Sequence, residues 1–106
     1  MKEQEHIEEI TMYEFKLYIV GRISKSKKVT EEVAKLLKDA LDGHYDLEVI
    51  DIINNPELAE KDGILATPAL EKVSPEPVKR IIGNLSDKER ILLALGLTVQ
   101  QGEVKK

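Results

Sequence analysis

The sequence predicts an α/β fold in the order β-α-β-α-β-β-α, a mixed four-stranded sheet with three helices. Three observations carry that expectation. An alternating run at Tyr13–Val20 and a β-branched run at Leu47–Ile53 flank an apolar stripe of helical period between Val29 and Leu41. Two more short apolar runs, Thr67–Val73 and Val78–Ile82, lie on either side of Ser74-Pro75-Glu76-Pro77. A Ser-x-x-Glu sequence at Ser86–Glu89 then opens onto Ile91, Leu92 and Leu95. The chain has 106 residues, which is the length of one domain.

Each element has its own reason. Tyr13, Phe15, Leu17 and Ile19 share one face of the first strand. Tyr18 and Val20 make the other face partly apolar, so a central place in the sheet is expected, with Gly21 ending the strand. Val29, Val33, Leu36, Leu37, Ala40 and Leu41 form one stripe of a helix expected from about Ser26 to Gly43. Leu47–Ile53 reads as a second, buried strand. A strand–helix–strand unit of this length makes the two strands parallel with a right-handed crossover.

Asn55-Pro56-Glu57 has the form of a helix start: an N-cap type, a proline at the first helical position, an acid near the positive dipole end. Gly63 closes that helix. The third and fourth strands form a hairpin through the proline turn, and Gly83-Asn84 is a further turn. The Ser86–Glu89 capping box begins the last helix. This order of elements is that of the minimal thioredoxin-like core. Met1–Met12 is expected as a flexible acidic leader, 13–98 as the domain, and Val99–Lys106 as a polar tail.

Composition narrows function by exclusion. The net charge is −4, and Lys2, Glu3, Glu5, Glu8 and Glu9 account for −3 of it. A near-neutral domain lacks the basic excess of a nucleic-acid binder. Cysteine is absent, which removes disulfides, thiolate metal sites and thiol chemistry. The thioredoxin-type redox position at the start of the first helix holds Ser24-Lys25-Ser26-Lys27 instead. His6 and His44 lack a second ligand at helical spacing, and there is no glycine-rich phosphate loop, so no metal or cofactor is expected. No apolar run approaches the ~20 residues of a membrane helix. With no signal-like segment at the acidic N-terminus, a cytoplasmic location is expected.

Two features stand above this background. Lys25, Lys27 and Lys28 form a charge run, read first as a solvated surface and second as a docking face for an acidic partner. Cations at a helix N-terminus oppose the macrodipole, which favours the second reading slightly. Pro68, in Ala66-Thr67-Pro68, stands where a thioredoxin-like fold places a cis-proline before its hairpin. Asp51, Asp62, Glu48 and Glu71 are scattered carboxylates, expected to be solvated or structural.

Four segments stand out: Phe15-Lys16-Leu17-Tyr18-Ile19-Val20-Gly21, Asn55-Pro56-Glu57-Leu58-Ala59-Glu60, Ile64-Leu65-Ala66-Thr67-Pro68 and Arg80-Ile81-Ile82-Gly83-Asn84-Leu85-Ser86. Together they resemble the KaiB family of circadian clock proteins. The resemblance runs from about Tyr13 to Leu97. It implies a regulator rather than an enzyme, one that binds the hexameric ATPase and kinase KaiC. Such a regulator competes with the sensor kinase SasA and helps sequester KaiA, promoting KaiC dephosphorylation. The nearest alternatives are a SasA-sensor-like module and a non-clock stress-signalling adaptor on a KaiC-like ATPase.

The resemblance also implies two folds. One is a tetrameric ground state ordered β-α-β-β-α-α-β; the other is a thioredoxin-like monomer that binds KaiC. Tyr13, Pro68, Ala94 and Gly96 are the positions tied to that choice, with Gly and Asp common in cyanobacterial members where this chain has Ala94 and Gly96. Lys16 and Lys28 match basic positions of the family, and Lys25 joins them from the local charge run. Glu48 and Gly63 replace lysines common in cyanobacterial members on the partner face. The expected partner-binding residues are therefore Lys16, Lys25, Lys28 and Glu48.

Overall fold

Local periodicity and turn chemistry produce seven elements in a computed structural model that describes residues 11–97. They are β1 (Tyr13–Ile19), α1 (Ser24–Leu41), β2 (Tyr45–Asp51), α2 (Pro56–Lys61), β3 (Ala69–Ser74), β4 (Lys79–Ile82) and α3 (Lys88–Leu95). The order matches the β-α-β-α-β-β-α expectation. The leader, apart from Thr11 and Met12, and the polar tail lie outside the described residues.

The sheet runs β2-β1-β3-β4, with β1 parallel to β2 and antiparallel to β3, and β3 antiparallel to β4. Strand β1 is central, as its two apolar faces require. Strand alternation sends Phe15, Leu17 and Ile19 to one face, where the stripes of α1 (Val33, Leu36, Leu37, Ala40) and α3 (Ile91, Leu92, Leu95) close the main core. The other face carries a smaller cluster of Tyr18, Ile50 and Ala69 under α2.

One expectation fails: β2 is not a buried interior strand. It occupies a sheet edge, begins at Tyr45, and buries only Ile50, while Val49 is exposed. Asp51 ends it two residues early. Its carboxylate accepts the N–H groups of Gly21 (2.8 Å) and Ile53 (3.0 Å), and its carbonyl accepts those of Asn54 and Asn55. The chain therefore turns out of the sheet at Asp51.

Other boundaries shift for local reasons. Helix α1 starts two residues early, at Ser24, and ends with Asp42 in the left-handed region before Gly43. Strand β3 starts after Pro68, whose ring nitrogen cannot donate to a ladder, and the Thr67–Pro68 bond is cis as expected. The start of α3 needs a correction. Asp87, not Ser86, is the N-cap, and its carboxylate accepts from the Arg90 N–H at 3.1 Å. The Ser86 hydroxyl is taken by the Asn84 side chain instead.

Candidate functional site

Two surfaces bring together side chains with chemical potential. The first lies where β1, α1, β2 and the loop before β3 converge. Gly21 holds φ +68°, a left-handed turn that starts the path into α1. Asp51 bonds to its N–H and so ties this turn to the end of β2. Ser26 is buried, and its hydroxyl donates to the Val20 carbonyl at 3.0 Å. The serine at the redox-type position thus fastens the turn to the helix.

Lys25, Lys27 and Lys28 all stand exposed on the first turns of α1. Among the described residues none of them makes an ion pair, and the first turn holds no acidic residue. The exposed Val20 and Ile23 line a hollow with Lys25, and the exposed Val49 lines another with Lys27. Charge and apolar area on one rim suit a protein partner better than a small molecule.

The second surface is the α2 side of the sheet. One rung across all four strands reads Glu48, Lys16, Glu71, Arg80, alternating in sign. The Arg80 guanidinium donates to Glu71 (3.1 Å) and to the Asp62 and Gly63 carbonyls at the end of α2 (2.7 and 3.3 Å). A cation there also complements the negative end of the helix. The Asp62 carboxylate accepts from the Tyr18 hydroxyl and lies 3.5 Å from Lys16.

These contacts shift both acids. Burial foremost, then the bond to Asp62 and the negative charges of Asp62 and Glu71, pushes the Tyr18 phenol well above the ordinary tyrosine range. The Tyr18 hydroxyl and the Lys16 charge hold Asp62 below the usual carboxylate range, against the opposing effect of burial.

The expected partner-binding residues thus fall on different faces. Lys25 and Lys28 sit together on α1. Lys16 is half-buried on the opposite side of the sheet, with its charge met by Asp62, and Glu48 is its exposed neighbour across β1 and β2. Tyr13 stacks on Phe15 (ring centroids 6.2 Å apart) at the edge of the main core. Ala94 packs against that core, and Gly96 caps α3 at φ +72°.

Reading the sequence alone missed the Tyr18–Asp62–Arg80 network. Alternation along β1 already separated Lys16 and Tyr18 from Phe15 and Leu17. Placing Glu71, Arg80 and Asp62 beside them needed the register between strands, which no local pattern states.

Comparison with known proteins follows the same line. The KaiB domain family matches residues 16–97. The circadian clock oscillator protein KaiB of Rippkaea orientalis is 45% identical over 89 residues, covering 84% of this chain and 86% of that protein. Its counterpart in Parasynechococcus marenigrum is 48% identical over 85 residues, covering 80% and 82%. Among solved structures, the N-terminal domain of Synechococcus elongatus SasA superposes with a TM-score of 0.61 at 20% identity, covering 76% and 75%. Oxidised mitochondrial thioredoxin 3 from Saccharomyces cerevisiae gives 0.60 at 16% identity, covering 78% of each chain. At those identities the two structures share the fold.

Proposed function

The chain belongs to the KaiB family, and from that premise we propose that it is a clock regulator that binds the ring of a KaiC-type ATPase and kinase. It competes there with SasA and, where KaiA is present, helps to sequester it, so that KaiC dephosphorylation is favoured. The observation that carries this reading is 45% identity to clock oscillator proteins over 84% of the chain. The fold shared with the SasA N-terminal domain supports the competition, since like folds can present like surfaces.

The docking face comprises α1 and the β2 edge. Lys25 and Lys28 supply positive charge on α1, while Glu48 and Lys16 approach the β2 edge from the opposite face of the sheet. The protein acts as a monomer in the thioredoxin-like arrangement, in the cytoplasm, without catalysing a reaction.

Co-elution with a KaiC-type hexamer in the presence of ATP tests this. One copy per ring subunit is expected, and a SasA N-terminal domain added in excess should displace it. Separate elution of the two proteins at low and moderate salt would overturn the reading.

A further inference from the structure

Strand β4 ends the sheet on the side away from β2. Its register sets Ile81 opposite Leu70 and Lys79 opposite Lys72, and just past Ile82 the Gly83 N–H donates to the Pro68 carbonyl at 3.0 Å. Hydrogen-bonded pairs alternate with unbonded ones along an antiparallel ladder. Counting back from Gly83, Ile81 and Lys79 are the residues bonded to β3, so Arg80 and Ile82 turn their N–H and C=O groups away from the sheet. The Arg90 guanidinium fits that direction, since it donates to the Ile82 carbonyl at 3.3 Å. Among the described residues, the Arg80 N–H and C=O and the Ile82 N–H have no hydrogen-bond partner. An edge of this kind is a template for a further strand.

The side chains say what that strand would carry. Alternation, carried one residue back from β4, puts Val78, Arg80 and Ile82 on the α2 side of the sheet. Val78 and Ile82 are exposed, at 55% and 40%, on either side of Arg80, whose charge is met by Glu71. Apolar side chains at alternate positions would cover them. The exposed Lys79 takes the other face, and the exposed Arg90 lies at the end of the strand. Among the described residues neither of these cations has a carboxylate partner. A second copy is the poorer occupant, because antiparallel pairing about Arg80 would set like charges opposite each other.

We propose that the outer edge of β4 binds an extended acidic segment of a partner protein as a further strand of the sheet. Main-chain pairing with Arg80 and Ile82 gives the contact its direction. Val78 and Ile82 select apolar side chains at alternate positions, and Lys79 and Arg90 select carboxylates. The β2 edge lies at the opposite side of the sheet, so the inference stands whether or not a KaiC-type ring is the partner there.

The probe is the peptide acetyl-Asp-Val-Glu-Val-Thr-Val-Asp-amide, titrated into the isotope-labelled full chain and followed by amide chemical shifts. Shifts should concentrate at Val78, Arg80 and Ile82. Methylating alternate peptide amides should abolish binding in one phase and spare it in the other. The exposed substitution Lys79→Glu should weaken binding by roughly tenfold and reduce its salt dependence.

Unmoved Arg80 and Ile82 amides at millimolar peptide would overturn the proposal. So would shifts centred on Glu48 and Val49, which would place the peptide on the β2 edge. Unchanged affinity in Lys79→Glu would remove the selection of an acidic strand and the proposal with it. Two results without peptide would also sink it. An Arg80 amide that moves on dilution, with concentration-dependent sedimentation, would mean that a second copy fills the edge. An Arg80 amide that moves when residues 1–10 are deleted would mean that the chain's own acidic leader does.

Discussion

Asp62 shows how one residue can join three elements. It receives the Tyr18 hydroxyl from β1 and faces Lys16, while its own carbonyl takes Arg80 from β4. Its pKa is lowered in the folded chain, so it stabilises the fold above the unfolded carboxylate value of ~3.9. That contribution is lost as pH falls through the lowered folded value. Asp62→Asn should cost about 1.5–3 kcal/mol at neutral pH, the range for hydrogen bonds to charged groups. It should also flatten the acid limb of a urea-denaturation series run from pH 7 to pH 2. Tyr18 has the opposite sense. Its raised pKa gives stability that is complete below the unfolded tyrosine value of ~10 and fades as pH rises through the folded value. Tyr18→Phe should remove that alkaline loss, and an unchanged slope above pH 10 would contradict the assignment. In the proposed docking, Lys28 acts at long range instead. Lys28→Glu should slow association with a KaiC-type ring and weaken its salt dependence, as read by stopped-flow rates across a salt series.

At the scale of the element, α3 is held at both ends by different chemistry. Asp87 caps the first turn. At the other end, the Leu97 N–H reaches the Leu92 carbonyl (2.8 Å) and the Gly96 N–H reaches that of Leu93 (3.2 Å), with Gly96 left-handed between them. Leu92 and Leu97 are both buried, which adds the apolar contact that accompanies this closure. Asp87→Ala should cost about 1 kcal/mol. Gly96→Val should cost ~1–2 kcal/mol through backbone strain alone, because a β-carbon there meets nothing within 4 Å. The two ends share no partner, so thermal or urea denaturation of the double variant should give the sum within about 0.5 kcal/mol. A large departure would mean that the ends are coupled through the core.

Over the whole molecule, the two faces of the sheet are unequal. Among the described residues, the core cluster on the α1 and α3 side holds fourteen buried residues, whereas the cluster under α2 holds three. Helix α3 belongs to the large core, through Ile91, Leu92 and Leu95, each side chain contributing about 1.5–3 kcal/mol on burial. The second order of elements that the family resemblance implies would make this segment largely a strand, so its local preferences bear on that choice. Ala94 favours the helix by about 1 kcal/mol over glycine, and Gly96 favours its end. Each 1.4 kcal/mol is about tenfold in population, so such local differences decide between nearly balanced folds. Backbone shifts of Ile91–Leu95 should be helical and sedimentation should give a monomer. The pair Ala94→Gly and Gly96→Asp should raise the tetramer fraction. Strand-like shifts in the unaltered chain would mean that burial between subunits outweighs these local preferences.

The sequence by itself determined the number, type and order of the elements, the central place of β1, the glycine end of α3 and the family. Each of these is written locally, as a side-chain period of two or 3.6, a turn residue or a motif. Tertiary structure alone decided that β2 lies at an edge, with only Ile50 buried, and that Asp87 rather than Ser86 caps α3. It alone set Lys16 beside Asp62, and Glu71 beside Arg80. The reason is physical. Alternation says which face a residue takes, but the neighbour of a strand and the register between them depend on how distant segments close around a shared core.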